Sequence, residues 1–364
     1  MSGAARVLAR CAVLGRISEE PDRLTRRFGT EAMAQANEVV AGWMREAGLT
    51  TREDPVRNLI GRRGEGPVVM LGSHLDTVVD AGRYDGPLGV LVALEAVERV
   101  DRDVEVVGFS DEEGVRFGTA YLGSSAMTGR FDPAWRDRHD GDVRLGDLVG
   151  DPGPAREDVV GYAEVHIEQG PVLEKLGEPV GVVTAIQGQS HALVTFTGEA
   201  GHAGTVPMDA RRDALTAAAE WILAVERAGG TVGRVQVEPN VRNVIPGSVT
   251  VTLDLRHPDD ATRRATFDAL RLEAGRGRDV EVTWRDGGDS PAVAMDERLS
   301  NAFGVATRLP SGAGHDAAMM ASIAPTAMLF VRCAGGISHN PAESVEEADV
   351  AVAIDALERF LRAV

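Results

Sequence analysis

The chain carries histidine and carboxylate side chains at positions where they could bind metal ions. His74 and Asp76 lie in the segment GSHLDT, directly after an apolar segment that predicts a buried strand. Ligands bind at the carboxyl ends of strands in open α/β sheets, and Asp76 is near enough to orient the imidazole of His74. Asp85 follows shortly before a predicted helix, and the adjacent glycines allow the backbone to approach an ion.

A run of three carboxylates, Asp111, Glu112 and Glu113, follows another predicted strand. Adjacent carboxylates repel each other, so such a run is costly when buried unless a cation is present. One carboxylate can then bind the ion while its neighbour acts as a base. A solvated acidic loop is the ordinary alternative for a run of this kind.

His166 and His339 each follow a further predicted strand. A single histidine is more often a core or helix-end residue than a ligand. Here, however, three histidines, one aspartate and one glutamate fall at strand ends of one sheet. This set suits Zn²⁺, and Mn²⁺ or Co²⁺ are also plausible. Five ligands are too many for one open catalytic site and favour two divalent ions that share a carboxylate.

The elements that position these residues alternate between strand and helix. Apolar spacing predicts helices over 24–47 and 88–100, and apolar runs predict strands over 67–71, 104–109, 162–167 and 327–331. This alternation predicts an α/β fold with a mostly parallel sheet and helices on both faces.

The middle of the chain follows a different pattern. Its segments predict the order β-α-β-β-α-β of a ferredoxin-like α+β domain, over residues 191–196, 209–228, 235–237, 248–255, 261–275 and 280–284. We therefore predict a smaller domain at 180–288, inserted into a larger metal-binding domain formed by residues 1–179 and 289–364.

Composition restricts the classes of partner. The 364 residues carry a formal net charge of −18, which disfavours nucleic acid because phosphate binding needs a basic face. The sequence has no apolar run long enough for a membrane span and no signal-peptide pattern at its start. Two cysteines offer no disulfide framework. We therefore expect a cytoplasmic enzyme that acts on a small molecule.

The motifs together resemble the amidase/hydantoinase/carbamoylase branch of the aminoacylase-like dinuclear metallohydrolases. The resemblance runs from about residue 30 to the C-terminus. It rests on GSHLDTV, DAGRYDGPLGV, DEEGVRFGTAYLGS, EVHIEQGPVLE, GHAGTVPM, RNVIPG, LPSGAGHDA and GGISHNPAE.

The resemblance implies a role for each residue that matches a family motif. Asp85 would bridge the two ions, Glu112 would be the general base, Asp76 would orient His74, and His202 would stabilise the oxyanion. The implied metal ligands are His74, Asp85, Glu113, His166 and His339, and the implied substrate-binding residues are Gln169, Asn243, Arg256 and His315.

Three of these residues have an ordinary structural alternative. Without the resemblance, His202 could be a turn histidine and Asn243 could cap a turn. Arg256 would more often form a surface ion pair. The resemblance also implies that the inserted domain is a lid and dimerisation domain. In the family, the histidine that matches His202 often acts in the active site of the partner subunit. We therefore expect a homodimer.

The resemblance implies hydrolysis of a ureido C–N bond in a small ureido acid. The segments VDAG at 79–82 and FVRC at 330–333 favour allantoate, which would yield ureidoglycine, ammonia and carbon dioxide. N-carbamoyl-L-amino acids and ureidoglycolate are the alternatives. A non-catalytic binding protein on the same fold is disfavoured, because all five ligand positions and Glu112 are retained.

Overall fold

The computed structural model describes all residues from Met1 to Val364. The α-helices are α1 (Gly3–Leu14), α2 (Glu31–Glu46), α3 (Pro87–Val97), α4 (Leu122–Met127), α5 (Val172–Leu176), α6 (Ala214–Arg227), α7 (Asp260–Glu273), α8 (Glu297–Ala302), α9 (Asp316–Met320) and α10 (Glu347–Ala363). The strands are β1 (Thr50–Glu53), β2 (Leu59–Arg63), β3 (Val68–His74), β4 (Val104–Phe109), β5 (His139–Asp140), β6 (Val143–Arg144), β7 (Val159–Ile167), β8 (Val180–Ile186), β9 (Gly188–Thr197), β10 (Gly201–His202), β11 (Val235–Glu238), β12 (Val244–Ile245), β13 (Ser248–His257), β14 (Glu281–Ser290), β15 (Val293–Ala294), β16 (Arg308–Ser311) and β17 (Thr326–Val331). None of the helices combines the length and apolar composition that a membrane span requires.

The chain divides into two compact units. The first consists of Met1–Thr184 and Met295–Val364, and the second of Ala185–Ala294. These limits lie a few residues from the predicted boundaries at 179/180 and 288/289. The assignment of 180–288 to a lid and dimerisation domain stays a prediction.

The largest sheet has the order β1-β2-β4-β3-β7-β17-β8-β15, and β16 also pairs with β8. Its central strands β4, β3, β7 and β17 are parallel, and the flanking pairs are antiparallel. Every residue of β3, β4 and β17 is buried. Continuous apolar strands are typical of a parallel sheet with both faces covered, and the predicted mostly parallel α/β fold is confirmed.

Helices lie on both faces of this sheet. Val165 of β7 belongs to the large apolar cluster that includes α3 and α10. Its neighbour Glu164 accepts a hydrogen bond from the backbone N–H of Ala317 in α9, at 2.8 Å. Because successive side chains of a strand point to opposite faces, α3 and α9 cover different faces of β7.

The predicted helix over 24–47 is wrong in its first turns. Helix α2 begins at Glu31, and the Thr30 hydroxyl caps it by accepting from the N–H of Met33. Within the preceding segment, the fully buried guanidinium of Arg26 donates to the carbonyl oxygens of Leu14, Ile17 and Leu75. These tertiary hydrogen bonds stabilise a non-helical backbone, although the apolar residues of this segment are spaced as they would be in a helix.

The second unit contains a four-stranded antiparallel sheet in the order β11-β13-β9-β14. Along the chain its elements follow the order β9-α6-β11-β13-α7-β14. Alternate residues of β9 are buried in a core shared with α6 and α7, where Trp221 is almost fully buried. Asp213 and Asp259 accept backbone N–H groups at the starts of the two helices, which defines where each begins.

Candidate metal centre and active site

The parallel strands of the first unit bring the predicted metal ligands to one edge of the sheet. His74 is the last residue of β3, and His166 is the penultimate residue of β7. Glu113 follows β4, and His339 follows β17. Asp85 lies two residues before α3. Parallel strands end at the same edge, so these residues from distant parts of the sequence meet there.

One group of possible ligands consists of His74, Asp85 and His166, which are all buried. The Nε2 atom of His166 lies 3.1 Å from Asp85 Oδ1, and the Nε2 atom of His74 lies 3.5 Å from the same oxygen. The two Nε2 atoms are 3.5 Å apart. Three ligand atoms therefore face a common point.

A second group consists of Asp85, Glu113 and His339. The Nε2 atom of His339 lies 3.4 Å from Asp85 Oδ2 and 3.3 Å from Glu113 Oε1. Asp85 thus presents one carboxylate oxygen to each group. Five side chains that form two groups of three with one shared carboxylate fit two ions.

The hydrogen bonds of the histidine rings also fit a cation. His166 Nδ1 lies 2.9 Å from the carbonyl oxygen of Ile167, and His74 Nδ1 lies 3.0 Å from that of Asp76. A carbonyl oxygen only accepts hydrogen bonds, so each Nδ1 carries a proton. In a neutral ring the Nε2 atom is then unprotonated and has a free lone pair. Asp85 Oδ1, which these lone pairs face, is buried without a hydrogen-bond partner. A bound cation would satisfy all three atoms.

Gly86 permits the close approach of Asp85 to His74. Its φ is +81°, and a Cβ atom placed there would lie 2.5 Å from His74 Cε1. Any other residue would therefore clash with the imidazole ring and would also adopt a strained backbone.

Glu112 and Asp76 lie beside the two groups. Glu112 is buried, and the carboxylates of Asp316, Glu113 and Asp76 surround it. Burial raises the pKa of Glu112 well above its ordinary value, and the neighbouring carboxylates raise it further. Asp76 accepts hydrogen bonds from the backbone N–H groups of Glu112 and Glu113, at 3.1 and 3.2 Å. Asp76 thus holds both the base candidate and a ligand candidate in place. Its carboxylate was predicted to orient His74, but His74 Nδ1 contacts the backbone oxygen of Asp76 at 3.0 Å, and the carboxylate lies 3.7 Å away.

Three side chains contact Asp85 without belonging to the ligand groups. Gln169 Nε2 donates to Asp85 Oδ2 at 2.9 Å, and the Ser338 hydroxyl donates to the same oxygen. Glu343 accepts the backbone N–H of Asp85. The predicted role of Gln169 in substrate binding stays a prediction, and its amide nitrogen donates to Asp85. Ser338 and Glu343 were not predicted, although both lie in GGISHNPAE.

His315 lies within hydrogen-bonding distance of Ser311 and packs against His166. Its Nε2 is 2.9 Å from Ser311 Oγ, and the two imidazole centroids are 4.5 Å apart. Burial lowers the pKa of His315 well below its ordinary value. A neutral histidine is therefore present beside the first ligand group.

The remaining predicted residues, His202, Asn243 and Arg256, lie in the second unit. His202 is exposed, and the N–H of the following Ala203 donates to the carbonyl oxygen of Asn243 at 3.0 Å, so these two motifs are adjacent. Arg256 Nη2 donates to Asp254 Oδ2 at 2.8 Å, and its Nε donates to the same carboxylate. The surface ion pair that was the ordinary alternative for Arg256 is therefore present.

Residues 70–363 match the sequence model of peptidase family M20/M25/M40. The chain belongs to this family. The match begins within β3 and covers β4, β7 and β17, all five candidate ligands and the whole second unit.

Individual M20/M25/M40 relatives share most of the chain. An allantoate deiminase of Arabidopsis thaliana is 38% identical and is matched over 97% of this chain and 81% of its own length. An N-carbamoyl-L-amino acid amidohydrolase of Geobacillus stearothermophilus is also 38% identical, over 97% of this chain and 96% of its own. A crystal structure of a hydantoinase/carbamoylase family amidase from Burkholderia multivorans superposes with a TM-score of 0.91 and 34% identity, over 99% of this chain and 98% of that one.

These similarities confirm the resemblance to the hydantoinase/carbamoylase amidases. The chain is a hydrolase that acts on C–N bonds. The M20/M25/M40 fold brings together side chains that could hold metal ions.

Proposed function

We propose that this hydrolase cleaves the terminal ureido C–N bond of allantoate. The observation that carries the proposal is the pair of ligand groups sharing Asp85, with the buried carboxylate of Glu112 beside them. The relative named allantoate deiminase, matched over nearly the whole chain, supports allantoate as the substrate. The products would be ureidoglycine, ammonia and carbon dioxide.

The metal ions would be held by the five side chains of the two groups. Two divalent cations supply Lewis acidity, which polarises a carbonyl and makes water more acidic. The donor set suits Zn²⁺, Mn²⁺ or Co²⁺. We propose His74, Asp85 and His166 as one set of ligands, and Asp85, Glu113 and His339 as the other.

Glu112 would transfer the proton. It accepts a proton from the attacking water, whose oxygen bonds to the terminal ureido carbon, and delivers the proton to the nitrogen as the C–N bond breaks. Ammonia leaves, and the remaining carbamate loses carbon dioxide to give the amine. Asp76 keeps Glu112 oriented through the backbone N–H of that residue. Burial raises the pKa of Glu112 above its ordinary value, and a carboxylate that holds its proton more readily suits this exchange.

The other predicted residues would bind and polarise the substrate. His202 would donate to the developing oxyanion, an interaction that is worth roughly 3 kcal/mol for one donor. Arg256 would hold the substrate carboxylate through its paired N–H groups, and Asn243 would donate its amide. His315 would contribute as a neutral side chain, and Gln169 would act through Asp85, to which it donates.

The second candidate function is hydrolysis of N-carbamoyl-L-amino acids. It is favoured by the Geobacillus relative, whose identity to this chain equals that of the Arabidopsis relative. The proposed chemistry is the same, because both substrates present a terminal ureido group and a carboxylate. Only the remainder of the substrate differs, and that part would contact the residues that determine specificity.

The deciding experiment is ammonia release by the purified enzyme after reconstitution with Mn²⁺. Allantoate, several N-carbamoyl-L-amino acids and ureidoglycolate are compared at equal concentration by kcat/KM. A preference of more than about tenfold for allantoate supports the proposal. A preference for N-carbamoyl-L-amino acids keeps the mechanism and replaces the substrate. No turnover of any of the three, with metal bound, would contradict both functions.

We further propose a cytoplasmic homodimer that forms through the second unit. Support for the interface comes from exposed apolar side chains of that unit, including Leu223, Val235 and Val241. Both cysteines are buried and free, as is usual in a reducing compartment. Light scattering on the purified protein tests the dimer, because a fully active monomer would contradict it.

A further inference from the structure

Glu343 joins two of the three loops that carry the ligands of the second group, those of Asp85 and His339. Its carboxylate oxygen Oε1 accepts the backbone N–H of Tyr84 at 2.7 Å and that of Asp85 at 3.1 Å. Glu343 itself lies four residues after His339. One side chain therefore connects the backbone at Asp85 to the segment that holds His339.

The surroundings of Glu343 show that this contact is built into the fold. The residue is 4% exposed. Gly82 leaves space for it, because a Cβ atom at that position would lie 2.3 Å from Glu343 Cδ and 2.4 Å from its Cβ. Two backbone hydrogen bonds to a buried carboxylate restrict the loop more strongly than apolar packing would, since such bonds have a preferred direction.

We propose that Glu343 is a positioning residue that sets the distance between Asp85 and His339 and thereby the affinity of the protein for its metal ions. The proposal rests on the proposed metal centre. Asp85 Oδ2 lies 3.4 Å from His339 Nε2 in the structure, and both residues belong to loops that Glu343 joins. Loss of groups that orient metal ligands typically lowers metal affinity 10- to 100-fold.

Two substitutions at Glu343 separate its hydrogen bonds from its charge. Glu343→Ala removes both acceptor contacts. Glu343→Gln retains one oxygen that can accept the backbone N–H groups of Tyr84 and Asp85. Its NH2 group replaces Oε2, which has no hydrogen-bond partner. We expect the alanine variant to bind metal at least tenfold more weakly and the glutamine variant to remain within about threefold of the wild-type protein.

Gly82→Ala tests the same contact without altering the carboxylate. The added methyl group would displace Glu343 from Tyr84 and Asp85, so this variant should resemble Glu343→Ala. The matched control is Asp54→Ala. Asp54 Oδ1 also accepts two backbone N–H groups, of Val56 and Asn58 at 3.0 and 2.9 Å, but its loop between β1 and β2 carries no candidate ligand. The control should lose stability and keep its metal affinity.

The experiment measures metal affinity by competition with a chromophoric chelator, using Mn²⁺ and then Zn²⁺, together with thermal unfolding of each apo protein. Weak binding by Glu343→Ala and Gly82→Ala, with near-wild-type binding by Glu343→Gln and Asp54→Ala, supports the proposal. Wild-type affinity in Glu343→Ala overturns it. If Glu343→Ala does not fold, Gly82→Ala decides, and wild-type affinity there also overturns it. Absence of metal binding by the wild-type protein would instead contradict the metal centre itself.

Discussion

The Nε2 atom of His166 lies 3.1 Å from Asp85 Oδ1, although Nδ1 of the same ring faces the carbonyl oxygen of Ile167. The ring nitrogen and the carboxylate oxygen can both face each other only if a proton or another cation lies between them. The neighbouring His74 repeats the arrangement. A metal ion bound between the ring nitrogens and the carboxylate would satisfy this arrangement.

Substitution of different ligands should remove different amounts of bound metal, because Asp85 belongs to both ligand groups and the other ligands belong to one. His166→Ala removes one group and leaves Asp85, Glu113 and His339, so we expect about one equivalent of metal per chain. Asp85→Ala removes the shared carboxylate and should leave almost no bound metal. Metal analysis after gel filtration measures both. Equal metal content in the two variants would contradict the shared role of Asp85.

Glu112→Gln should separate catalysis from metal binding. The amide cannot accept the proton, so we expect kcat to fall by about 10²- to 10⁴-fold, while metal content stays near that of the wild-type protein. Asp111→Asn is a matched control, because it neutralises the adjacent buried carboxyl, which accepts from Thr119. A large loss of metal in Glu112→Gln would make Glu112 a ligand and would refute its assignment as the base.

Gly86→Ala should weaken metal binding through steric contact with His74. The added Cβ would lie within 2.6 Å of both ring nitrogens, so the imidazole must move, and we expect metal affinity to fall at least tenfold. Gly48→Ala is the matched control, since Gly48 has a similar φ of +79° but no atom within 4 Å of the added Cβ. Both variants should lose roughly 1 kcal/mol of stability from backbone strain. Equal metal affinity in the two variants would show that the close approach at Gly86 is unimportant.

Arg256→Ala should raise KM more than it lowers kcat. A charged hydrogen bond to a carboxylate is worth roughly 1.5 to 3 kcal/mol, so we expect KM for allantoate to rise by about 10- to 100-fold. Arg285→Ala, at an exposed arginine of β14 in the same sheet, serves as the control. An unchanged KM would favour the purely structural role of Arg256 in its ion pair with Asp254.

The candidate ligands were predictable because strand ends are visible in the sequence. The apolar run 104–109 before Glu113 ends with β4, and the run 67–71 before His74 ends within β3, which continues to His74. Parallel strands meet at one edge. The contact from Glu343 to Asp85 was not predictable in this way. It joins residues 258 positions apart, and no local pattern marks a buried carboxylate that accepts backbone N–H groups. Ser338 was missed for the same reason.

The segment before α2 shows a second limit of periodicity. Leu24 and Phe28 are buried and spaced like helix residues, yet their backbone is not helical. The hydrogen bonds of Arg26 to three carbonyl oxygens determine its path, and their partners come from other parts of the chain. Spacing identifies which side chains are buried, and tertiary hydrogen bonds here determine the backbone conformation.

Asp158 should contribute to stability in a pH-dependent way. The hydrogen bond from Arg156, together with that from Arg62, holds the pKa of Asp158 well below its ordinary value despite partial burial. A carboxyl whose pKa is lower in the folded state binds fewer protons there, so its stabilising contribution is complete above the unfolded pKa, about 4. That contribution is lost as the pH falls through the lower pKa of the folded state.

Asp158→Asn should therefore lower the midpoint of thermal unfolding near pH 7 by a few degrees at most, because Asp158 is partly exposed and solvent screens its ion pairs. The difference from the wild-type protein should shrink as the pH falls below about 4. Asp142→Asn, at an exposed carboxylate without a hydrogen bond in the structure, serves as the control. A difference that stays constant between neutral and strongly acidic pH would mean that Asp158 stabilises the fold through its shape and not through its charge.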